Sequence, residues 1–129
     1  MPKTHEAKTV LIVEDEAEVR YFAARVFELE GYRVLQTESS EEGMRLVRES
    51  QVALVLLDLR LPGRDGWAML EQMKGEPELS KIPVIVFTAS AGVPQRERAL
   101  SMGAADYLVK PMSSARLRKA VASVLQWNR

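Results

Sequence analysis

Several polar side chains in this 129-residue chain stand immediately after short apolar runs. Glu14 and Asp15 follow Val10-Leu11-Ile12-Val13, Thr37 follows the run from Tyr32 to Gln36, and Asp58 follows Ala53-Leu54-Val55-Leu56-Leu57. Thr88 ends Pro83-Val84-Ile85-Val86-Phe87, and Lys110 ends Tyr107-Leu108-Val109. A single aspartate after a strand is ordinarily a solvated loop charge. Three carboxylates gathered with a hydroxyl and an ammonium are another matter, because carboxylates several ångströms apart repel by about a few kcal/mol at moderate effective dielectric. A fold keeps such a cluster when a cation completes it. Oxygen ligands are hard, which favours Mg²⁺ or Mn²⁺ over zinc, and Mg²⁺ held by a few carboxylates keeps open positions suited to phosphoryl oxygens. Thr88 and Lys110 then supply a hydroxyl donor and a cation for the remaining phosphoryl oxygens. An aspartate can itself be the nucleophile and form an acyl phosphate. The chemistry suggested is Mg²⁺-dependent phosphoryl transfer onto an aspartate.

These residues meet only if the runs are strands of one sheet. Val10–Val13 reads as a fully buried strand, followed by a helix from about Ala17 to Glu30 with Val19, Phe22, Ala23, Val26 and Leu29 on one stripe and Gly31 as its C-terminal cap. The second strand, Tyr32–Gln36, has a weaker pattern that suits a sheet edge. Ser39-x-x-Glu42 is a capping-box signature for a helix to about Glu49. The third strand, Ala53–Leu57, is apolar on both faces. A loop, Pro62-Gly63-Arg64-Asp65-Gly66, leads to a helix from Trp67 to Lys74, where Trp67 reads as a packing residue. After the fourth strand a helix from about Val93 to Met102 stops at Gly103, and after the fifth a last helix, about Ser114 to Gln126, aligns Leu117, Val121, Val124 and Leu125. Strands without polar alternation, separated by helices and short loops, predict an α/β fold: one doubly wound, five-stranded parallel sheet with five helices. Ligands of such open sheets sit beyond the carboxyl ends of the strands.

Composition removes the competing classes. Cysteine is absent and His5 is the single histidine, which excludes disulfides, thiol catalysis, Cys-based metal centres and His-rich sites. Eighteen basic and eighteen acidic residues cancel, so no nucleic-acid footprint shows, and direct nucleic-acid binding is not expected. The charged N-terminus lacks a signal-peptide core, and apolar runs of about five residues fall far below the roughly 20 of a membrane span, so no membrane insertion is expected. A cytoplasmic, reducing-compartment domain is the expectation.

Four segments together carry a resemblance: Val10-Leu11-Ile12-Val13-Glu14-Asp15-Glu16, Leu56-Leu57-Asp58-Leu59-Arg60-Leu61-Pro62-Gly63-Arg64-Asp65-Gly66, Val86-Phe87-Thr88-Ala89, and Gly103-Ala104-Ala105-Asp106-Tyr107-Leu108-Val109-Lys110-Pro111. The chain resembles the receiver domain of bacterial two-component response regulators, over about Thr9 to Leu125. The resemblance implies a flexible segment over residues 1–8, a receiver domain over 9–127 and strand order 2-1-3-4-5. It implies that Asp58 accepts a phosphoryl group from the phosphohistidine of a sensor histidine kinase or phosphotransfer protein, or from a small donor such as acetyl phosphate. Asp15, Asp58 and the backbone carbonyl of Arg60 would ligate Mg²⁺ directly, with Glu14 acting through water. Lys110 would contact the phosphoryl group and precede a cis bond to Pro111. Thr88 would swing toward the phosphoryl group and Tyr107 turn inward, although a buried core aromatic is the plainer reading of Tyr107 alone. Arg60 and Ser90 would lie at the pocket mouth, Arg60 pairing with Glu14, facing the phosphoryl group or pointing into water.

Rival folds fit less well. A haloacid-dehalogenase-like phosphatase needs Asp-x-Asp, whereas Glu14 and Asp15 are adjacent; a flavodoxin needs a hydroxyl-rich first loop, which Glu14-Asp15-Glu16 is not; no P-loop is present. The alternative from another class is a phosphorylation-independent pseudo-receiver, an interaction module that typically loses the aspartate or lysine kept here as Asp58 and Lys110. The chain stops after the last helix, as a stand-alone receiver or a piece of a larger regulator would. In winged-helix members of the family the face of the fourth helix, fifth strand and fifth helix dimerises through charge pairs. The aligned positions here look like Arg116 and Ala120, so a different protein partner is expected, met by Arg116, Arg118 and Lys119.

Overall fold

The computed structural model describes residues 7–61 and 65–127. Its strands are β1 (Thr9–Val13), β2 (Arg33–Thr37), β3 (Leu54–Leu57), β4 (Val84–Thr88) and β5 (Asp106–Val109). Its helices are α1 (Ala17–Leu29), α2 (Ser40–Glu49), α3 (Gly66–Gly75), α4 (Val93–Ser101) and α5 (Ser114–Trp127). All strand pairs are parallel and the order is β2-β1-β3-β4-β5. From β1 the chain first steps to β2 on one side, then returns past β1 to β3. With right-handed crossovers, that reversal sends α1 to one face and α2, α3 and α4 to the other. Most of the segment expected to be flexible, residues 1–8, lies outside the described residues, as do Pro62, Gly63 and Arg64. Among the described residues no helix is long and apolar enough to cross a membrane.

Alternate strand residues feed two cores. Leu11, Val13, Val55, Leu57 and Val86 pack with Met44, Val47, Met69, Leu70 and Met73. Val10, Ile12, Leu54, Leu56 and Phe87 pack with Ala23, Phe27, Leu117 and Val121 on the opposite face. Each fully buried Val, Leu, Ile or Phe contributes about 1.5–3 kcal/mol, so the central strands are the firmest base available for a site at their ends.

The α1 stripe differs from the sequence expectation. Ala23 and Val26 are buried, but Phe22 is exposed and Leu29 is 70% exposed, while Ala24 and Phe27 take the inner positions. The stripe is rotated because α1 packs on both the sheet and α5, and Tyr32 meets Phe27 edge-on at 6.2 Å. The capping box of α2 is half made. Ser39 Oγ accepts from the Glu42 N–H at 3.2 Å, but the Glu42 carboxylate turns to Arg45. Trp67 packs on the core as expected and is covered by the Arg98 guanidinium, 4.1 Å from its ring centroid. Gly31 and Gly103 adopt φ of +94° and +111°, which supports the sequence reading of both as helix stops.

Gly66 carries a further constraint. It opens α3 against the strand end that bears Asp58, and its N–H donates to the Leu59 carbonyl at 3.1 Å. A Cβ at this position would overlap the Asp58 carbonyl oxygen and come within 2.6 Å of Leu59 Cα. Backbone cannot give way as a side-chain tip can. Gly66→Ala is therefore expected to destabilise the protein by about 2 kcal/mol in denaturant unfolding and to displace the Asp58 loop. A fully stable Ala variant would contradict that.

Candidate functional site

The ladder runs one residue beyond β1, β3 and β5. The Asp58 N–H donates to the Val13 carbonyl at 3.0 Å, Glu14 N–H to Thr37 at 2.9 Å, and Lys110 N–H to Thr88 at 2.8 Å. Because Val13 is in register with Leu57, Glu14 and Asp58 leave adjacent strands side by side. Carboxylate oxygens of Glu14, Asp15 and Asp58 lie within 4.8 Å of one another. Glu14 and Asp58 are buried and Asp15 is half-buried.

Lys110 is the cation at their centre. Its Nζ is 2.7 Å from Glu14 Oε1, 2.9 Å from Asp58 Oδ2 and 3.4 Å from Glu16 Oε1. The side chain is only 11% exposed, with Nζ 5.7 Å from the Phe87 ring centroid. Asp58 Oδ1 accepts the Arg60 N–H at 3.0 Å, so each oxygen of this carboxylate has a donor. Glu14 Oε2 accepts the Glu16 N–H at 3.1 Å. Among the described residues, Asp15 alone of the three makes no hydrogen bond, which leaves its carboxylate open. Asp15, Glu16, Asp58, Arg60, Ala89 and Lys110 line an open depression of about 300 Å³ above the cluster. The carboxylate oxygens of Glu14, Asp15 and Asp58 are hard donors that fit a hard divalent cation.

Burial pushes the Glu14 carboxyl above its ordinary range, and the Asp58 charge adds to this against the opposing bonds from Lys110 and the Glu16 N–H. Burial pulls Lys110 down, but its bonds to Glu14 and Asp58 outweigh that and raise it. A carboxyl raised in the folded state contributes stability that is full below 4.5 and is lost as pH rises through the folded value. The surface carboxylates Glu42 and Glu76, held low by Arg45 and Arg48, act in the opposite sense below 4.5. Metal-free protein is thus expected to lose stability from pH 4.5 upward into the range where Glu14 ionises, and Glu14→Gln should flatten that slope. Denaturant unfolding across this range checks it; an unchanged slope would rule out Glu14 as the source.

Thr88 and Tyr107 meet through the backbone of Ser90. Thr88, fully buried, accepts the Ser90 N–H on Oγ1 at 3.5 Å, and the Tyr107 hydroxyl donates to the Ser90 carbonyl at 2.7 Å. Tyr107 is 5% exposed, so the inward position expected after phosphorylation is the one found here. The structure thus brings together Glu14, Asp15, Asp58 and Lys110, with Thr88 and Tyr107 on a neighbouring link. Thr37 stays apart, accepting the Ser39 N–H at 3.3 Å in the β2–α2 turn. The Arg60 side chain is exposed and has no ion pair among the described residues, so it does not pair with Glu14. Lys110–Pro111 is cis, as the resemblance implied. Sequence reasoning missed Glu16 as a partner of Lys110 and Ser90 as the shared backbone link. For Glu16 the signal was available in its place directly after Asp15.

The family described as response regulator receiver domain matches residues 10–122. The chain belongs to this family. The receiver domain is 34% identical over 119 residues to the phosphate regulon transcriptional regulatory protein PhoB of Pseudomonas aeruginosa, covering 92% of this chain and 52% of that protein. It is 32% identical over 121 residues to a probable transcriptional regulator, ycf27, of Porphyridium aerugineum, covering 94% of this chain and 49% of that protein. The receiver domain thus spans about half the length of these curated relatives. Among solved structures it resembles a CheY-like receiver domain protein of Methanospirillum hungatei (TM-score 0.87, 26% identity, 94% of this chain and 95% of that one). It also resembles the receiver domain of a signal transduction histidine kinase of Syntrophus aciditrophicus (TM-score 0.85, 30% identity, 93% and 91%). Receiver domains are signalling domains of two-component systems rather than enzymes in the usual sense; they interact with histidine kinases and switch on phosphorylation.

Proposed function

We propose that this receiver domain is a cytoplasmic phosphoacceptor switch in which Asp58 takes a phosphoryl group from the phosphohistidine of a sensor kinase or phosphotransfer protein. The observation that carries this is the Asp58 carboxylate itself: buried, oriented by the Arg60 N–H and Lys110, and within 4.8 Å of Glu14 and Asp15. One carboxylate oxygen attacks phosphorus; the P–N bond breaks, its electron pair leaves with the imidazole, and an aspartyl phosphate results. Lys110 loses its carboxylate partner at Asp58 and follows the charge onto the phosphoryl oxygens. Asp15, Asp58 and the Arg60 carbonyl would hold Mg²⁺ or Mn²⁺ directly, with Glu14 acting through water. When bound, the metal neutralises charge on the transferring phosphoryl oxygens. The test is intact mass after incubation with acetyl phosphate. A gain of one phosphoryl group with Mg²⁺ and none with excess chelator supports the reading; no gain with Mg²⁺, or an equal gain without it, contradicts it.

The signal leaves through Thr88. A phosphoryl oxygen offers the Thr88 O–H an acceptor, and turning toward it draws Oγ1 away from the Ser90 N–H, while Tyr107 is tied to the same residue through its carbonyl. The two positions differ by the strength of a few hydrogen bonds, enough for a population shift on the face of α4, β5 and α5. That face keeps Arg116 and Lys119 exposed, but Arg118 turns to Glu30 of α1 at 3.7 Å and leaves the expected patch. With Arg116 and Ala120 at the pairing positions, the face meets a different protein of acidic character. Light scattering with Mg²⁺ and beryllofluoride is expected to report a monomer; a symmetric dimer would show that these residues do not decide the matter.

A further inference from the structure

Asp15 has no hydrogen bond of its own among the described residues, yet its backbone is bracketed. On its N-terminal side Glu14 is fixed at every polar atom: its N–H by the Thr37 carbonyl, its carboxylate by Lys110 and the Glu16 N–H, and its carbonyl by Arg20. On its C-terminal side Glu16 starts α1, with its carbonyl accepting the Arg20 N–H at 2.9 Å. The N-cap Glu16 makes no side-chain cap, so nothing local holds the first turn to the loop except these bonds. Arg20 supplies two of them, from its own N–H and from Nη1, which donates to the Glu14 carbonyl at 2.8 Å. The guanidinium is half-buried and lies 5.1 Å from the Tyr21 ring centroid. Among the described residues no carboxylate pairs with it.

We infer that Arg20 is a positioning residue for the metal ligand Asp15, acting through the Glu14 peptide rather than through its charge. The inference rests on the reading of Glu14, Asp15 and Asp58 as a divalent-cation site. Turning the Glu14 carbonyl moves the peptide that launches Asp15, and a ligand without side-chain bonds among the described residues takes its position from the two peptides that flank it. A nearby cation acting by charge alone repels Mg²⁺, so its removal would tighten binding. Positioning gives the opposite sign, since a loop freed in the unbound state must be ordered on binding.

The experiment is calorimetric titration of the metal-free protein with Mg²⁺ alone, for wild type, Arg20→Gln and Arg20→Lys, with Asp15→Asn for reference. Arg20→Gln is expected to weaken Mg²⁺ by about tenfold, the scale of one lost charge-assisted hydrogen bond, while Arg20→Lys recovers most of the affinity because its longer side chain carries a donor within reach of the Glu14 carbonyl, which the shorter Gln amide does not. Circular dichroism and denaturant unfolding without metal verify that each variant folds; if Arg20→Gln does not, the comparison of Arg20→Lys with wild type carries the test, near-native affinity being required. Unchanged or tighter binding in folded Arg20→Gln overturns the inference while leaving the metal site standing. A wild-type protein that takes no Mg²⁺ overturns the metal reading, and this inference with it.

Discussion

Replacing Asp58 with asparagine is expected to abolish phosphoryl incorporation altogether while leaving the metal-free fold at least as stable as the native one. A carboxamide oxygen cannot form the acyl phosphate, and no other aspartate stands where Lys110 and the Arg60 N–H converge. The stability half of this expectation comes from charge. Glu14 and Asp58 share one ammonium in a buried setting, and the Asp58 charge adds to the rise of the Glu14 carboxyl. Removing that charge brings Glu14 back toward its ordinary range, and asparagine still offers an oxygen to Lys110 or to Arg60. Intact mass after acetyl phosphate and Mg²⁺, with denaturant unfolding under chelator, reads both halves. Persistent labelling would move the phosphoacceptor elsewhere; a marked loss of stability would mean that the Lys110–Asp58 pair outweighs the repulsion it relieves.

Lys110→Ala should be the more disruptive change to the fold. The phosphoryl contact that the resemblance gives Lys110 puts its loss on signalling more than on folding. The structure instead shows a largely enclosed ammonium 2.7 Å from Glu14 and 2.9 Å from Asp58. Breaking a buried pair by deleting one partner leaves uncompensated charge, here on two carboxylates. We expect a loss of about 3 kcal/mol near neutral pH, at the low end for such deletions because the depression above the cluster admits water. The deficit has a pH signature. Without Lys110 the Glu14 carboxyl loses the bond that opposes its rise, so part of the lost stability returns as pH falls and Glu14 protonates, and the deficit is greatest where Glu14 is forced to ionise. Denaturant unfolding at neutral and mildly acidic pH, alongside phosphorylation kinetics, separates this from a purely functional role. A variant as stable as wild type at neutral pH would mean the pair contributes nothing to folding.

Much of this could be read from the residues because a parallel sheet buries both faces. Val10–Val13, Leu54–Leu57 and Val84–Phe87 therefore announce themselves as unbroken apolar runs, and the residue that ends each run is fixed at the site's edge. That logic delivers Glu14, Asp58, Thr88 and Lys110 without any side-chain detail. It fails where backbone atoms do the work. Ser90 links Thr88 to Tyr107 through its N–H and carbonyl, groups that every residue type but proline shares. It fails also where long side chains choose among partners: Arg118 goes to Glu30, and Glu42 abandons its capping role for Arg45. The α1 stripe was misjudged because a helical period fits either Phe22 or Phe27 beside Ala23 and Val26. Packing against α5 decides for Phe27, and no local signal carries that.

The central claim is an acyl phosphate on Asp58, and its chemistry offers a direct trap. Wild-type protein phosphorylated with acetyl phosphate and Mg²⁺, then treated with borohydride, should carry homoserine at position 58 and aspartate everywhere else, as read by peptide mass spectrometry. Reduction at another acidic residue, or phosphorylated protein that borohydride leaves unchanged at Asp58, would contradict the account.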